Sequence, residues 1–290
     1  MFERRGYLLD MTRRVPTMRT AQELVDVLAR YRYNEFRPFV ERDFPAEVDF
    51  GKLGAYCEMQ GLKMVKTTRS EYEELFIRAE YAIVSTEAER SLAGRAEEMR
   101  EQMIRAEAQG RTRKAKGFLV TDFSDECAWQ PLCVSLPGII MGGNFASGGA
   151  KSSMMDLEKE LDRVLEAPLG GLLLRLGTLY LRGGAVRENC SELFNILSHD
   201  VGYSRHPGLT QFVLDDISGV ARGVRIAAER WTDRSDWAKE IVYAANLLDC
   251  ACHRRDEARL REVRDEHGHI WRLRFMPEGR VESLSRLPRF

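Results

Sequence analysis

Gly117-Phe118-Leu119-Val120-Thr121-Asp122-Phe123-Ser124-Asp125-Glu126-Cys127-Ala128-Trp129-Gln130-Pro131-Leu132 is the stretch that decides the fold. Its first four residues form an apolar run of strand length. They lead without a break into carboxylates, aromatics and a Trp-Gln-Pro-Leu segment. An apolar strand that ends in such residues looks like the carboxyl end of a barrel strand, where (β/α) barrels keep their chemistry. Val134-Ser135-Leu136-Pro137-Gly138 follows it.

Upstream of this strand, four more strands alternate with helices. Gly6-Tyr7-Leu8-Leu9 is a short apolar strand ending at Asp10. Thr20-Ala21-Gln22-Glu23 has capping-box form, and Ala21, Leu24, Val25 and Leu28 then share one helical face. A strand is expected over 36–40, then a helix over 50–60 that Gly61 can stop in the left-handed conformation. Leu62-Lys63-Met64-Val65 and Tyr81-Ala82-Ile83-Val84 read as the third and fourth strands, and a long charged helix is expected over about 89–109, ending at Gly110. Such alternation argues for a parallel sheet or barrel. A complete eight-stranded barrel needs at least about 200 residues, yet the alternating region closes near residue 150 with five strands.

The second half reads as helical. Asp156 is placed to cap a helix carrying Leu157, Leu161, Val164 and Leu165. Leu172, Leu173, Leu176 and Leu179 continue on one face after Gly170-Gly171. Phe212, Val213, Ile217, Val220, Val224, Ala228 and Trp231 recur at helical spacing over about 209–231, and two more helices are expected over 235–253 and 256–273. Antiparallel helices with apolar seams pack as bundles. The Gly- and Ser-rich stretch 142–153 is the natural boundary. The expected organisation is a partial (β/α)-barrel domain over 1–150 and a helical domain over 151–290. The fold class is α/β followed by all-α, a partial or reduced TIM-type barrel with a C-terminal helical bundle.

With 44% hydrophobic and 31% charged residues among 290, the chain supports an ordinary core and a solvated surface. A net charge of −1 attracts neither nucleic acid nor anionic lipid, so no nucleic-acid or membrane partner is expected. Cysteines 57, 127, 133, 190, 250 and 252 are scattered and form no disulfide framework. Reduced thiols and a cytoplasmic location are expected, since Glu3, Arg4 and Arg5 open the chain and no apolar stretch of secretory or membrane length follows. No metal is expected: Cys250 and Cys252 would point to different sides of a helix, and no second pair with zinc spacing exists. No cofactor is expected, because Gly142-Gly143 and Gly148-Gly149 lack the spacing and the following Lys-Ser/Thr of a phosphate loop. The basic cluster Arg111, Arg113, Lys114 and Lys116 follows a helix end, where the helix dipole favours positive charge.

The 121–138 block resembles the last barrel strand of one bacterial group in glycoside hydrolase family 20, the β-N-acetylhexosaminidases. Those members carry T-D-W-G-D-x-G-H-W-Q-x-L-P-V-S-x-P-G. Here Phe123 stands for the Trp, Ser124 and Cys127 for glycines, and Ala128 for the His. Arg5-Gly6-Tyr7-Leu8-Leu9-Asp10-Met11-Thr12-Arg13 is similar to the family's R-G-x-x-x-D-x-x-R first strand. Val15-Pro16-Thr17-Met18 and the helix that follows also match. Tyr33-Asn34-Glu35-Phe36 resembles the start of its second strand, with Glu41 at the end. Residues 53–66, Ser91-Leu92-Ala93-Gly94-Arg95 and the helical half are similar more loosely. The resemblance covers both ends of a longer protein. Between 67 and 81 it would require the rest of strand three and strands four to six, which are absent.

That absence bears on activity. The family's fourth strand ends in an Asp-Glu pair that orients the substrate's acetamido group and protonates the leaving oxygen, a substrate-assisted scheme. No such pair follows a fourth strand here, and Asp125-Glu126 sits on the last strand, so it is only a weak catalytic candidate. The resemblance implies a hexosaminidase-like protein of carbohydrate metabolism, impaired in catalysis and at most binding a terminal N-acetylhexosamine. The alternatives are an active exo-β-N-acetylhexosaminidase and a helical interaction protein without sugar binding. Candidate binding residues are Arg5, Asp10, Glu41, Asp122 and Trp129. For each, a structural role stands beside the functional one: backbone or ion-pair contacts for Arg5, Asp10 and Glu41, loop capping for Asp122, packing for Trp129. A glycan is the expected partner. A homodimer that pairs open sheet edges is expected as well, with a sheet covered by helices as the alternative.

Overall fold

The computed structural model describes residues 1–41, 48–124, 127–149, 153–187, 189–199, 203–254 and 256–288. The first half contains β1 (Arg4–Asp10), α1 (Met18–Arg30), β2 (Glu35–Phe39), α2 (Phe50–Met59), β3 (Lys63–Met64), α3 (Arg69–Arg78), β4 (Tyr81–Ser85), α4 (Ala96–Thr112) and β5 (Gly117–Asp122). All five strands pair in parallel in the order β3-β2-β1-β5-β4. Tyr7 lies beside Phe36 and Val120, and Leu8 beside Arg37 and Thr121. The expected α/β half with five parallel strands is therefore present.

The strand order places the helices. From β1 to β3, and again from β4 to β5, the chain steps across the sheet in one direction; from β3 to β4 it steps in the other. Strand crossovers are right-handed, so α1, α2 and α4 fall on one face and α3 on the opposite face. Side-chain alternation agrees. Tyr7, Leu9, Phe36, Phe118 and Val120 join the main core with α1, α2 and α4. Leu8, Phe39, Tyr81 and Leu119 point the other way and meet Tyr72 and Leu75 of α3. This second face is half polar. Arg37 donates to Glu35 (3.0 Å), the Tyr81 hydroxyl (3.0 Å) and Thr67 (3.3 Å), and Arg4 donates to Glu35 (2.8 Å). Every charge there has a partner, which is the condition for keeping charges under a helix.

The second half is helical: α5 (Leu136–Ala146), α6 (Met154–Leu165), α7 (Gly170–Leu176), α8 (Glu192–Ser198), α9 (Gln211–Glu229), α10 (Asp236–Cys252), α11 (Glu257–Arg274) and α12 (Arg280–Arg286). A two-residue antiparallel ribbon, β6 (Val186–Arg187) with β7 (Cys190–Ser191), precedes α8. α5 packs on the same sheet face as α1 and α4, and α6 packs on α5. The hydrophobic core runs without a break from the sheet through α5 into α9, α10 and α11.

Several local expectations are corrected. Residues 142 and 143 are inside α5 rather than in a linker. A Cβ on Gly142 would come within 2.4 Å of Val120, and one on Gly143 within 2.4 Å of the Tyr31 carbonyl, so the glycines let the helix lie against sheet and α1. α1 starts three residues earlier than the Thr20 box implied. Thr17 is its cap, its hydroxyl accepting from Thr20 N, and Glu23 turns instead towards Arg274. Ser153, not Asp156, caps α6, with Asp156 returning the bond as the other half of a capping box. The 89–109 helix begins only at Ala96. α3, closed by a Thr68–Glu71 capping box, was not anticipated. Gly61 does take a positive φ of 77° after α2. Among the described residues no single helix is long and apolar enough to cross a membrane.

Candidate functional site

Because the five strands are parallel, their carboxyl ends open on one side of the sheet. β1 ends in Asp10, Glu41 follows β2, and Phe123 and Ser124 follow β5. These residues, with Thr12, Arg13, Arg69, Tyr72, Glu73, Glu89 and Glu282, line an open cavity of about 670 Å³. Clefts outside the carboxyl ends of parallel strands are the usual ligand sites of such sheets.

Asp10 is the most constrained group at this mouth. It is 4% exposed. One carboxylate oxygen accepts from the Thr12 amide (2.9 Å) and hydroxyl (2.6 Å), and the other from the Ser124 amide (3.1 Å). Burial raises its pKa, and the bonds from Thr12 and Ser124 together with the charge of Arg14 oppose that rise without cancelling it. Asp10 thus ties the end of β1 to the segment after β5. Around it, Phe39, Tyr72 and Phe123 form an edge-to-face aromatic cluster with ring centroids 5.2–6.0 Å apart. Burial pushes the Tyr72 hydroxyl up to about 12, with the charge of Glu89 adding to the rise. Arg13 pairs with Glu282 (3.0 Å) and Arg69 with Glu41 (3.5 Å). The lining offers carboxylates, guanidinium groups and aromatic carbon, a set that suits hydroxyl-bearing ligands.

The sequence candidates separate. Asp10 and Glu41 meet at the mouth. Arg5 does not: it sits at the amino end of β1, where its guanidinium donates to the carbonyls of Arg32 (2.6 Å) and Phe2 (2.9 Å). Asp122 is 1% exposed and lies beside Leu9 on the face covered by α1, α2 and α4. There it accepts from the Tyr7 hydroxyl (2.6 Å) and the Thr86 hydroxyl (3.2 Å). Trp129 is also 1% exposed, donates to the Ser283 carbonyl (3.2 Å) and packs on Phe194, so its ring offers no face to a sugar. Asp125 and Glu126 lie outside the described residues. Phe39 and Tyr72 escaped the sequence reading, Tyr72 because α3 itself did.

Behind the mouth, His267 bridges Tyr243 (2.7 Å) and Ser283 (3.0 Å) in a buried chain. Ser283 spends its proton on the Cys127 carbonyl. His267 therefore donates to Ser283 and accepts from Tyr243, so the serine is not activated as a nucleophile. Among the described residues no group of three His, Cys, Asp or Glu side chains is placed to hold a metal ion. No protein-family model matches the chain, and no curated protein matches it.

Proposed function

We propose that the chain is a hexosaminidase-like sugar-binding protein with impaired catalysis, and that it takes a terminal N-acetylhexosamine at the carboxyl mouth of the sheet. The observation that carries the reading is the mouth cavity, which brings Asp10 and Glu41 together with the Phe39–Tyr72–Phe123 cluster. The strand order supports the family frame. Taking strands four to six out of a ring of eight parallel strands leaves three-two-one-eight-seven, and the present order is β3-β2-β1-β5-β4. α3 then occupies the face that would have been the barrel interior.

Calorimetric titration with N-acetylglucosamine and N-acetylgalactosamine tests the binding, with Asp10→Asn and Phe123→Ala as mouth variants. Saturable heat that both variants weaken is expected; no heat with either sugar, or heat indifferent to both variants, overturns the reading. An aryl N-acetyl-β-glucosaminide tests the impairment. Loss of a general acid alone lowers rate by roughly 10²–10⁴, so turnover is expected to be absent or slight. Robust hydrolysis abolished by Asp125→Asn or Glu126→Gln would restore the active-enzyme alternative. A second reading, docking through the helical half, is favoured by one observation: Phe212 and Ile226 stand exposed on the same outer face of α9.

A further inference from the structure

A second cavity of about 730 Å³ lies on the helical side, between α1, the end of α6 and the turn joining α9 to α10. It shares no residue with the mouth. Three features set it apart. The first is aromatic. Of the four tryptophans, Trp129 and Trp271 are at most 2% exposed, whereas Trp231 and Trp237 are half-buried and both line this groove.

The second is charge. The lining carries five cationic and five acidic side chains. Several are paired in place: Arg19 with Glu23 (2.9 Å) and Asp236 (3.5 Å), Lys239 with Asp236 (2.9 Å). A balanced lining gives no Coulombic preference to an anion or a cation, but it supplies donors and acceptors side by side. A hydroxyl group, which both donates and accepts, is matched to such a surface.

The third is an unmet donor. Arg274 is 2% exposed, and its guanidinium binds Glu240 through Nε and Glu23 through Nη1 (2.6 Å). Its Nη2 is buried and has no hydrogen-bond partner among the described residues. The Trp237 ring lies 3.9 Å from the guanidinium carbon. Two carboxylates already neutralise this arginine, so the remaining N–H calls for a neutral acceptor. Leaving a buried donor unmet is costly, and a ligand hydroxyl reaching past the edge of the Trp237 ring, in the plane of the guanidinium, would satisfy it.

We propose that this groove binds a neutral oligosaccharide, with Trp231 and Trp237 as its aromatic walls and Arg274 as its innermost donor. The proposal does not depend on the mouth being a sugar site. Titration of the full chain with tri-N-acetylchitotriose and with maltotriose, read by tryptophan emission, tests it, because the groove holds both half-exposed indoles and the mouth has none. A saturable emission change with at least one sugar is expected. Asp233→Asn and Arg234→Gln, both at exposed positions on the groove rim, are each expected to weaken binding about tenfold, the loss of one hydrogen bond to a charged group. Asp10→Asn is expected to leave the emission titration unchanged. The absence of any saturable change overturns the proposal. So does a change that survives both rim variants, or one that disappears in Asp10→Asn. The heat lost between the wild-type chain and Asp10→Asn reports on the mouth, while the emission change reports on the groove, so failure at one site is distinguishable from failure at the other.

Discussion

Glu240 of α10 and Arg274 at the end of α11 form an ion pair with both side chains out of water, 0% and 2% exposed. Glu240 also accepts from the Cys133 amide (2.7 Å), which fastens the segment before α5 to the helical half. Arg274 reaches on to Glu23 of α1. One buried pair thus joins the first half of the chain to the second.

Removing one member of such a pair leaves the other charge buried. Arg274→Ala, which leaves the Glu240 carboxylate buried with no cation beside it, is expected to lower unfolding stability by about 3–5 kcal/mol. Replacing both residues by methionine is expected to be far milder, since two desolvation penalties vanish together. Urea unfolding of the two variants decides it; a single variant that loses less than about 1 kcal/mol would show that the pair does not hold the halves together.

His267 and Glu266 are neighbours with opposite pH behaviour. Burial, helped by Arg14 and Arg264, lowers the His267 pKa to about 3. Its contribution is complete above the unfolded value near 6.5 and is lost as pH falls towards 3. Burial raises the Glu266 pKa to about 7, opposed by the bond from Asn246. That contribution is complete below the unfolded value near 4.5 and is lost as pH rises through 7. Between pH 4.5 and 6.5 the two slopes cancel, each being at most about 1.4 kcal/mol per unit. In Glu266→Gln, stability is expected to fall as pH drops from 6.5 to 4.5, by roughly 2–3 kcal/mol. In His267→Gln it is expected to rise over the same window. Urea unfolding at both pH values checks this, and slopes of the same sign in the two variants would refute it.

Which parts of this molecule were readable from its residues follows from where the signals lie. Apolar runs such as Tyr7-Leu8-Leu9 and Phe118-Leu119-Val120 are buried on both faces, so hydrophobicity alone marks them. The long helices α9, α10 and α11 announce themselves by period. α3 is quieter: its apolar stripe is only Tyr72, Leu75 and Phe76 set among charges, none of its residues is fully buried, and the Thr68–Glu71 box is its clearest signal. α5 hides for the opposite reason. It is buried nearly all round, and its glycines, which allow close packing, read as a linker. At the mouth, the positions of Asp10 and Glu41 were legible because one ends β1 and the other closely follows β2. Trp129 misled because composition cannot show which way a ring faces, and Asp122 because a one-residue step along β5 moves a side chain from one face of the sheet to the other.

α3 covers the polar face of the sheet while burying none of its own residues. Its hold is the half-buried Tyr72 and Leu75 and the aromatic contacts of Tyr72 with Phe39, Phe76 and Phe123. Elements with few buried contacts open at low free energy. Amides of α3 are expected to exchange with solvent deuterium well before those of α1 or α10, and Tyr72→Ala to speed them further. Protection of α3 equal to that of α10 would contradict this account.

The sheet has an open edge at β4. The Gly117 amide donates to the Glu80 carbonyl (3.0 Å) and the Thr86 amide to the Thr121 carbonyl (2.9 Å). Residues 80, 82, 84 and 86 therefore turn their backbone towards β5, and residues 81, 83 and 85 turn theirs outward. The strand Tyr81-Ala82-Ile83-Val84-Ser85 carries no charge and no proline, the usual guards of an edge. Beside it a cavity of about 390 Å³ runs between Phe76 and α4, and Ile77 is 83% exposed. A second copy pairing antiparallel along β4 would satisfy the outward amides and cover both side chains. A dimer mass by light scattering at micromolar concentration is expected. Ile83→Pro, which removes an outward N–H and no bond to β5, is expected to return the chain to monomer. A wild-type protein that stays monomeric and unfolds cooperatively would rule out edge pairing and leave α3 as the cover that the sheet needs.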